Sequence, residues 1–299
     1  MLDILNVTFP TSGITANILL PPIVSFIISF FCSMGGITGA VLILPFQVSV
    51  LGFTSPAVSS TNLVFNIFST PAGIYRYIKE KRMLWPLVAI VTIGTLPGLL
   101  IGYYLRVKYL PEPHKFKIFV GAVIFYLGLK LIKSAFQKKA AAKTGAFLVE
   151  NVRFSAKTVE YDFFSTHYSF SAPLMFTLAF IVGIIGAAYG IGGGAIIAPF
   201  CVVLFNLPVF TVAGATLLST FIASVFGVIF YSAIPIQGVI WHPDWLLGIT
   251  FSVGGVAGMY FGAKCQKRFS EKWIKIIVSI IFILIGIVYL YKNLMLMVK

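Results

Sequence analysis

The sequence predicts an all-α polytopic membrane protein built from two inverted repeats. Each repeat carries a glycine-broken re-entrant or half-helix segment plus about three membrane-crossing helices. Three observations predict it. First, 59% of the 299 residues are hydrophobic and only 10% are charged, where a soluble domain carries roughly a quarter charged residues; mean hydropathy is +1.00. Second, the stretches Ile4–Tyr75 and Phe163–Pro243 contain no Asp, Glu, Lys or Arg. Third, the chain repeats itself. The formal charge of +14 does not mark a nucleic-acid binder, because the basic residues sit in short runs between apolar stretches, as membrane loops do.

A spanning helix needs roughly 20 apolar residues. Apolar blocks run approximately 18–51, 55–75, 84–105, 115–136, 172–206, 208–232, 243–264 and 272–294. The N-terminus carries no Lys or Arg before its first apolar run, so that run is expected to stay in the mature protein. The first and fifth blocks are too long for one span and too short for two. Glycines interrupt both, in Gly36-Ile-Thr-Gly-Ala-Val-Leu-Ile-Leu-Pro-Phe46 and Gly190-Ile-Gly-Gly-Gly-Ala-Ile-Ile-Ala-Pro-Phe200. One constant offset aligns Gly36 with Gly190, Gly39 with Gly193, Pro45 with Pro199 and Phe46 with Phe200. Downstream, Trp85, Gly94, Gly98 and Gly102 align with Trp245, Gly254, Gly258 and Gly262. The chain therefore divides into a first transmembrane repeat (1–136), a linker (137–171) and a second repeat (172–299).

Charge sets the expected orientation. Arg76, Lys79, Lys81 and Arg82 follow block two, whereas the counterpart loop, Ala233 to Asp244, has no Lys or Arg. Lys264, Lys267, Arg268 and Lys272 follow block seven, and the linker carries Lys138, Lys139, Lys143, Arg153 and Lys157. Cytoplasmic loops are rich in Lys and Arg, so these basic loops and the linker read as cytoplasmic and the N-terminus as outside. The pattern is met if blocks one and five enter and leave as paired half-helices and each half crosses three times. Arg106, Lys108, Lys115 and Lys117, after block three, then fall on the outer side and do not fit. In the linker, residues 152–161 alternate and read as a short amphipathic hairpin.

Inverted repeats with broken helices are the architecture of secondary transporters. Non-helical backbone survives in hydrocarbon only where it is buried in protein or lines a cavity. Gly39-Ala40 and Gly193-Gly194 would each begin a half-helix, whose free N–H groups and partial positive charge suit an anion. Gly94, Gly98 and Gly102, spaced by four like Gly254, Gly258 and Gly262, read as close helix packing. The substrate-binding candidates are Gly36, Thr38, Gly39, Ala40, Gln47, Asn62, Asn66, Gly190, Gly192, Gly193, Gly194, Thr216 and Thr220. Asn62 and Asn66 share a helix face, as do Thr216 and Thr220, and the repeat pairs Asn62 with Thr216 and Asn66 with Thr220.

The glycine-broken segment ending in Pro-Phe, once per half, with Ser55-Pro-Ala-Val-Ser-Ser-Thr-Asn62 and Phe210-Thr-Val-Ala-Gly-Ala-Thr216, resembles the TauE/SafE sulfite exporter family of prokaryotic inner-membrane proteins. The resemblance covers most of the chain apart from the linker. It implies export of sulfite or a small organosulfonate such as sulfoacetate across the cytoplasmic membrane. The first half departs from the glycine-rich pattern, with Thr38 and Ala40 where the second has Gly192 and Gly194.

The expected partners are a small anionic substrate and the lipid bilayer, with a homodimer as a candidate assembly; no nucleic acid, cofactor or metal is expected. Cys32, Cys201 and Cys265 are far apart, and His114, His167 and His242 do not pair at ligand spacing. An enzyme would need a nucleophile with a base, or a metal cluster, inside the apolar blocks; the first two blocks of each half hold neither a charge nor a histidine. The alternative is a transporter or channel for another small solute, or a Na⁺-coupled substrate, on the same fold.

Overall fold

The computed structural model describes residues 5–136, 148–233, 240–266 and 271–298. Each apolar block becomes a helix, and each broken block becomes two. The first half runs α1 (Leu20–Met34), α2 (Ala40–Ser49), α3 (Ala57–Lys79), α4 (Trp85–Lys108) and α5 (Pro113–Ala135). The second runs α6 (Ala172–Tyr189), α7 (Gly193–Leu204), α8 (Val209–Ala233), α9 (Trp245–Cys265) and α10 (Glu271–Val298). Helix α3 ends with Arg76 and Lys79 in its last turn, where cations oppose the negative end of the helix dipole.

Long, apolar stretches able to cross a bilayer lie in α4, α5, α6, α8, α9 and α10. Helix α3, at 23 residues, has the length. Its first turns carry Ser59, Ser60, Thr61, Asn62 and Asn66, all buried, so it is polar because it faces protein. The chain is a multi-pass membrane protein.

The two halves are interlocked. Helix α1 packs on α9 as α6 packs on α4, α3 meets α9 as α8 meets α4, and α3–α8 and α5–α10 join equivalent helices. The glycines spaced by four lie at two of these crossings. A Cβ on Gly98 would come 2.6 Å from the Phe180 carbonyl oxygen and 2.9 Å from the Ile184 nitrogen, and one on Gly258 would come 3.0 Å from Ser29 Cβ. Both helix pairs approach backbone to backbone, which only small residues permit.

Two small sheets sit at helix ends. Strands β1 (Asn6–Thr8) and β2 (Thr15–Asn17) form an antiparallel hairpin whose tip is bonded to the buried Asp244. Asp244 Oδ2 accepts from Thr11 N at 3.1 Å and from Ser12 N and Ser12 Oγ at 2.8 Å. Its Oδ1 caps α9 by accepting from Leu247 N at 3.1 Å. Asp244→Ala removes a helix cap, worth ~1 kcal/mol, and strands the hairpin donors as well. The expected loss is about 2–3 kcal/mol, read as a lower melting temperature of the purified protein; Asp244→Asn, which keeps the acceptor, should recover part of it. No drop in Asp244→Ala would mean that water replaces the carboxylate.

The linker folds as a meander of β3 (Val149–Phe154), β4 (Thr158–Phe163) and β5 (Thr166–Ser171). The hairpin expected over 152–161 is present as β3–β4, and β5 adds a third strand. Along β4, Val159, Tyr161 and Phe163 point inward, and Tyr161 shares a 2.9 Å hydrogen bond with Thr211 at the start of α8. On the exposed side, bonds from Asn151 and His167 hold the Asp162 carboxyl below its ordinary range. Lys138, Lys139, Lys143, Lys267 and Arg268 lie outside the described residues.

Two loop arginines are not loop residues in space. Arg82 is fully buried, with Nη2 at 2.6 Å from Glu80 Oε2 and the guanidinium 4.5 Å from the Tyr77 ring centre. Arg106 is fully buried on the last turn of α4. Of the cations that did not fit the charge pattern, Arg106 thus leaves the surface. Lys115 pairs with Glu112 at 2.8 Å and holds that carboxyl below its ordinary range.

Candidate functional site

Both helix breaks are made by glycines with positive φ. In the second half, Gly190 ends α6 at φ +87 and Gly192 precedes α7 at φ +74. At the break of the first half, only Gly36, at φ +74, takes this conformation. That explains the departure noted in the sequence. Thr38 stands where Gly192 would, but its backbone stays outside the left-handed region, so a side chain is tolerated there. Helix α2 then starts from Gly39. The first N–H groups of a helix lack the usual carbonyl four residues back; in α2 two of them turn to nearer ones, Leu42 N to the Gly39 carbonyl at 3.0 Å and Val41 N to the Thr38 carbonyl at 3.4 Å.

Asn62 joins the two breaks. Its Nδ2 donates to the Ala40 carbonyl of the first break at 3.0 Å and to the Gly190 carbonyl of the second at 2.8 Å. Asn66 Nδ2 donates to the Ile191 carbonyl at 2.9 Å. Thr216, the repeat partner of Asn62, donates to the Gly36 carbonyl at 3.2 Å. The two bonds are equivalent: α3 holds the break of the second half, and α8 holds the break of the first. A further clamp comes from proline chemistry. Pro45 in α2 has no N–H to give the Val41 carbonyl, and the Tyr189 hydroxyl donates to that oxygen at 2.7 Å.

The glycines are closely packed. A Cβ on Gly190 would lie 2.5 Å from Ser59 Cα, one on Gly193 would lie 2.6 Å from Thr95 Cγ2, and one on Gly194 would lie 2.5 Å from Thr220 Oγ1. One on Gly36 would meet Ala213 Cβ at 2.8 Å. Gly39 faces Ser29, and Gly192 faces Thr220 and Ser224.

The structure therefore brings together Gly36, Thr38, Gly39, Ala40, Asn62, Asn66, Gly190, Gly192, Gly193, Gly194, Thr216 and Thr220. Thr220 bonds the Thr216 carbonyl of its own helix at 2.8 Å and packs on Gly192 and Gly194. Gln47 lies about 10 Å along α2 from Ala40, at 1.5 Å rise per residue. It is buried, and neither amide atom has a hydrogen-bond partner among the described residues.

Asn62 Nδ2 gives both its N–H groups to the breaks, and Asn66 Nδ2 gives one. At the breaks, the buried side-chain atoms without a partner among the described residues include the acceptors Asn62 Oδ1 and Asn66 Oδ1 and the hydroxyls of Ser29, Thr38 and Ser224, with both amide atoms of Gln47 farther along α2. Donors for an anion are thus the hydroxyls, the Gln47 amide and those helix-tip N–H groups that no carbonyl takes up. No group of three or more potential metal ligands occurs among the described residues.

A cavity of about 750 Å³ opens elsewhere, between α1, α2, α5 and α10. Its lining is apolar apart from a rim that includes His114, Lys117, Lys292 and Asn293. It does not include Asn62 or Asn66.

Residues that the sequence reading did not place in the site are Tyr189 and Arg106, which Ser59 connects. Ser59 Oγ donates to the Tyr189 carbonyl at 3.3 Å and accepts from Arg106 Nε at 3.1 Å. The apolar block ended at residue 105; extending it by one turn would have set Arg106 on the face of Gly102 and Tyr103.

The chain is similar over most of its length to proteins named as membrane transporters. "Probable membrane transporter protein YunE" of Bacillus subtilis is 27% identical over 87% of this chain and 93% of that protein. A probable membrane transporter protein of Methanocaldococcus jannaschii is 24% identical over 89% of this chain and 92% of its own length. "Probable membrane transporter protein YjnA", also of Bacillus subtilis, is 22% identical over 84% and 91%. No solved structure matches the chain. The description of the sulfite exporter family TauE/SafE matches residues 22–289, and with paired helix breaks inside that span, the chain belongs to this family of membrane transporters.

Proposed function

We propose that the protein is a secondary transporter that exports a small oxyanion, sulfite or a small organosulfonate such as sulfoacetate, across the cytoplasmic membrane. Transport proceeds by alternating access around the paired helix breaks. The observation that carries this reading is the Asn62 carboxamide, which touches both breaks at once. The half-helix N-termini and the hydroxyls of Thr38, Ser29 and Ser224 supply uncharged donors, which bind an anion without trapping it. In the orientation read from the basic loops, the β1–β2 hairpin lies outside and the linker sheet lies in the cytoplasm. A membrane potential, negative inside, then drives anion efflux by roughly 2.3 kcal/mol per charge per 100 mV.

The test is sulfite flux from proteoliposomes under an imposed potential with no pH or Na⁺ gradient. Saturable, potential-driven efflux is the expected result. Absence of sulfite and sulfoacetate flux under every gradient would remove the substrate assignment.

One observation favours a second reading, coupling to a cation. Asn62 Oδ1 and Asn66 Oδ1 are buried acceptors without partners, and oxygen ligands of this kind suit a hard cation. Under that reading the same flux appears only with a Na⁺ gradient, and it is lost when choline replaces Na⁺.

A further inference from the structure

Arg106 is a buried cation with no acidic partner among the described residues. Its Nε donates to Ser59 Oγ at 3.1 Å, Nη1 donates to the Leu110 carbonyl, and the guanidinium lies 3.6 Å from the centre of the Phe116 ring. Nη2 has no hydrogen-bond partner among the described residues. A buried, unpaired charge costs several kcal/mol and calls for an explanation.

Packing alone does not supply one. Arg106 follows Gly102 by four residues, as Gln266 follows Gly262, and the repeat aligns those glycines. At the equivalent end of the other half, a neutral amide stands in its place: Gln266 donates to the Met34 carbonyl at 2.8 Å and accepts from Tyr77 at 3.2 Å and from Arg82 Nη1 at 3.0 Å. The cation there, Arg82, is neutralised by Glu80. Each end thus buries an arginine, and among the described residues Arg82 has a carboxylate beside it while Arg106 has none.

The surroundings of Arg106 offer donors. Tyr231 is the repeat counterpart of Tyr77. Its ring packs edge-on against Tyr103, 4.6 Å between centres, one turn from Arg106 on the same face of α4. The Tyr231 hydroxyl is buried, makes no full-geometry hydrogen bond among the described residues, and interacts electrostatically with Arg106 and Ser59. Ser59 ties the group to the second break, because Ser59 packs directly on Gly190.

We propose that Arg106, positioned by Ser59, forms with Tyr231 an oxyanion-binding site beside the second helix break and selects anions over neutral solutes. The fork of N–H groups on a guanidinium matches the oxygens of a sulfo, sulfite or carboxylate group. The proposal rests on the anion-transporter reading and adds the one permanently charged group to it.

The test measures the rise in melting temperature of the purified full-length protein across a concentration series of sulfite, sulfate, sulfoacetate and bicarbonate, each as the sodium salt. Arg106→Gln, Arg106→Lys and Tyr231→Phe are compared with the unaltered chain. A stabilising oxyanion should bind Arg106→Gln roughly ten- to a hundredfold more weakly, the range for a lost charge-assisted hydrogen bond. Arg106→Lys should fall between, and Tyr231→Phe should lose about three- to tenfold. If Arg106→Gln does not fold, Arg106→Lys and Tyr231→Phe carry the comparison. An oxyanion that stabilises all chains equally would overturn the Arg106 site while leaving the transporter reading intact. Stabilisation by sulfate or bicarbonate but not sulfite, lost in the variants, would support the site and remove only the sulfite assignment. No stabilisation of the unaltered chain by any of the four would overturn the site; flux in proteoliposomes then decides the transporter reading separately.

Discussion

Asn62→Leu is expected to reduce sulfite efflux from proteoliposomes to the rate of protein-free vesicles. The substitution is close in volume, so packing changes little. What it removes is the pair of bonds from one carboxamide to Ala40 and Gly190, one on each helix break. Two buried carbonyls lose their donors, at about 1–3 kcal/mol each. The breaks then lose their shared anchor, and the first residues of α2 and α7 lose their common reference. Asn66→Leu breaks one bond instead of two, so it should cost about half as much stability and retain measurable flux. Efflux in Asn62→Leu equal to that of the unaltered chain would separate this residue from the transport path.

The second large effect is expected at Gly190. Gly190→Ala places a Cβ 2.5 Å from Ser59 Cα on a backbone at φ +87. The left-handed conformation alone costs roughly 1–2 kcal/mol for an L-residue, and overpacking adds roughly 1–3 kcal/mol. Gly52 is the internal control: its φ is +74, but nothing lies within 4 Å of its virtual Cβ. Gly52→Ala should therefore show the conformational cost alone. The melting temperature of Gly190→Ala should fall well below that of Gly52→Ala. Equal values would mean that the Ser59 contact yields, and that the glycine is kept for its backbone conformation only.

The same residues show how far the fold could be read from sequence. Helix breaks were legible because three successive glycines near a proline are too costly for an uninterrupted span, and α1/α2 and α6/α7 form at those points. The repeat was legible because it preserves the glycines of the α4 and α9 crossings. The direction of the asparagine amides was not legible. Which atom of a carboxamide is free depends on the carbonyls around it, and those come from segments far apart in sequence, as Gly190 does for Asn62. Arg106 was misread for a related reason. Charge counting assigns every Arg near a helix end to a loop, and only tertiary packing shows that α4 continues past it and that Phe116 covers it. Strand β5 escaped because its six residues have only Tyr168 and Phe170 to mark an alternation.

The crosswise packing of the halves bears on how such a chain is made. Helix α1 finds its main partner in α9, and α4 finds its own in α6. A chain one repeat long would lack the main cover of its first helix, which touches its own half mainly at α2 and β2, and could bury it fully only against a second copy. Carrying both repeats in one chain turns that bimolecular encounter into an intramolecular one. During synthesis α1 still emerges long before α9, so the nascent first half must wait, incompletely packed, until the second is nearly finished. Separate expression of the two halves in one cell should then reconstitute the protein, whereas either half alone should be degraded.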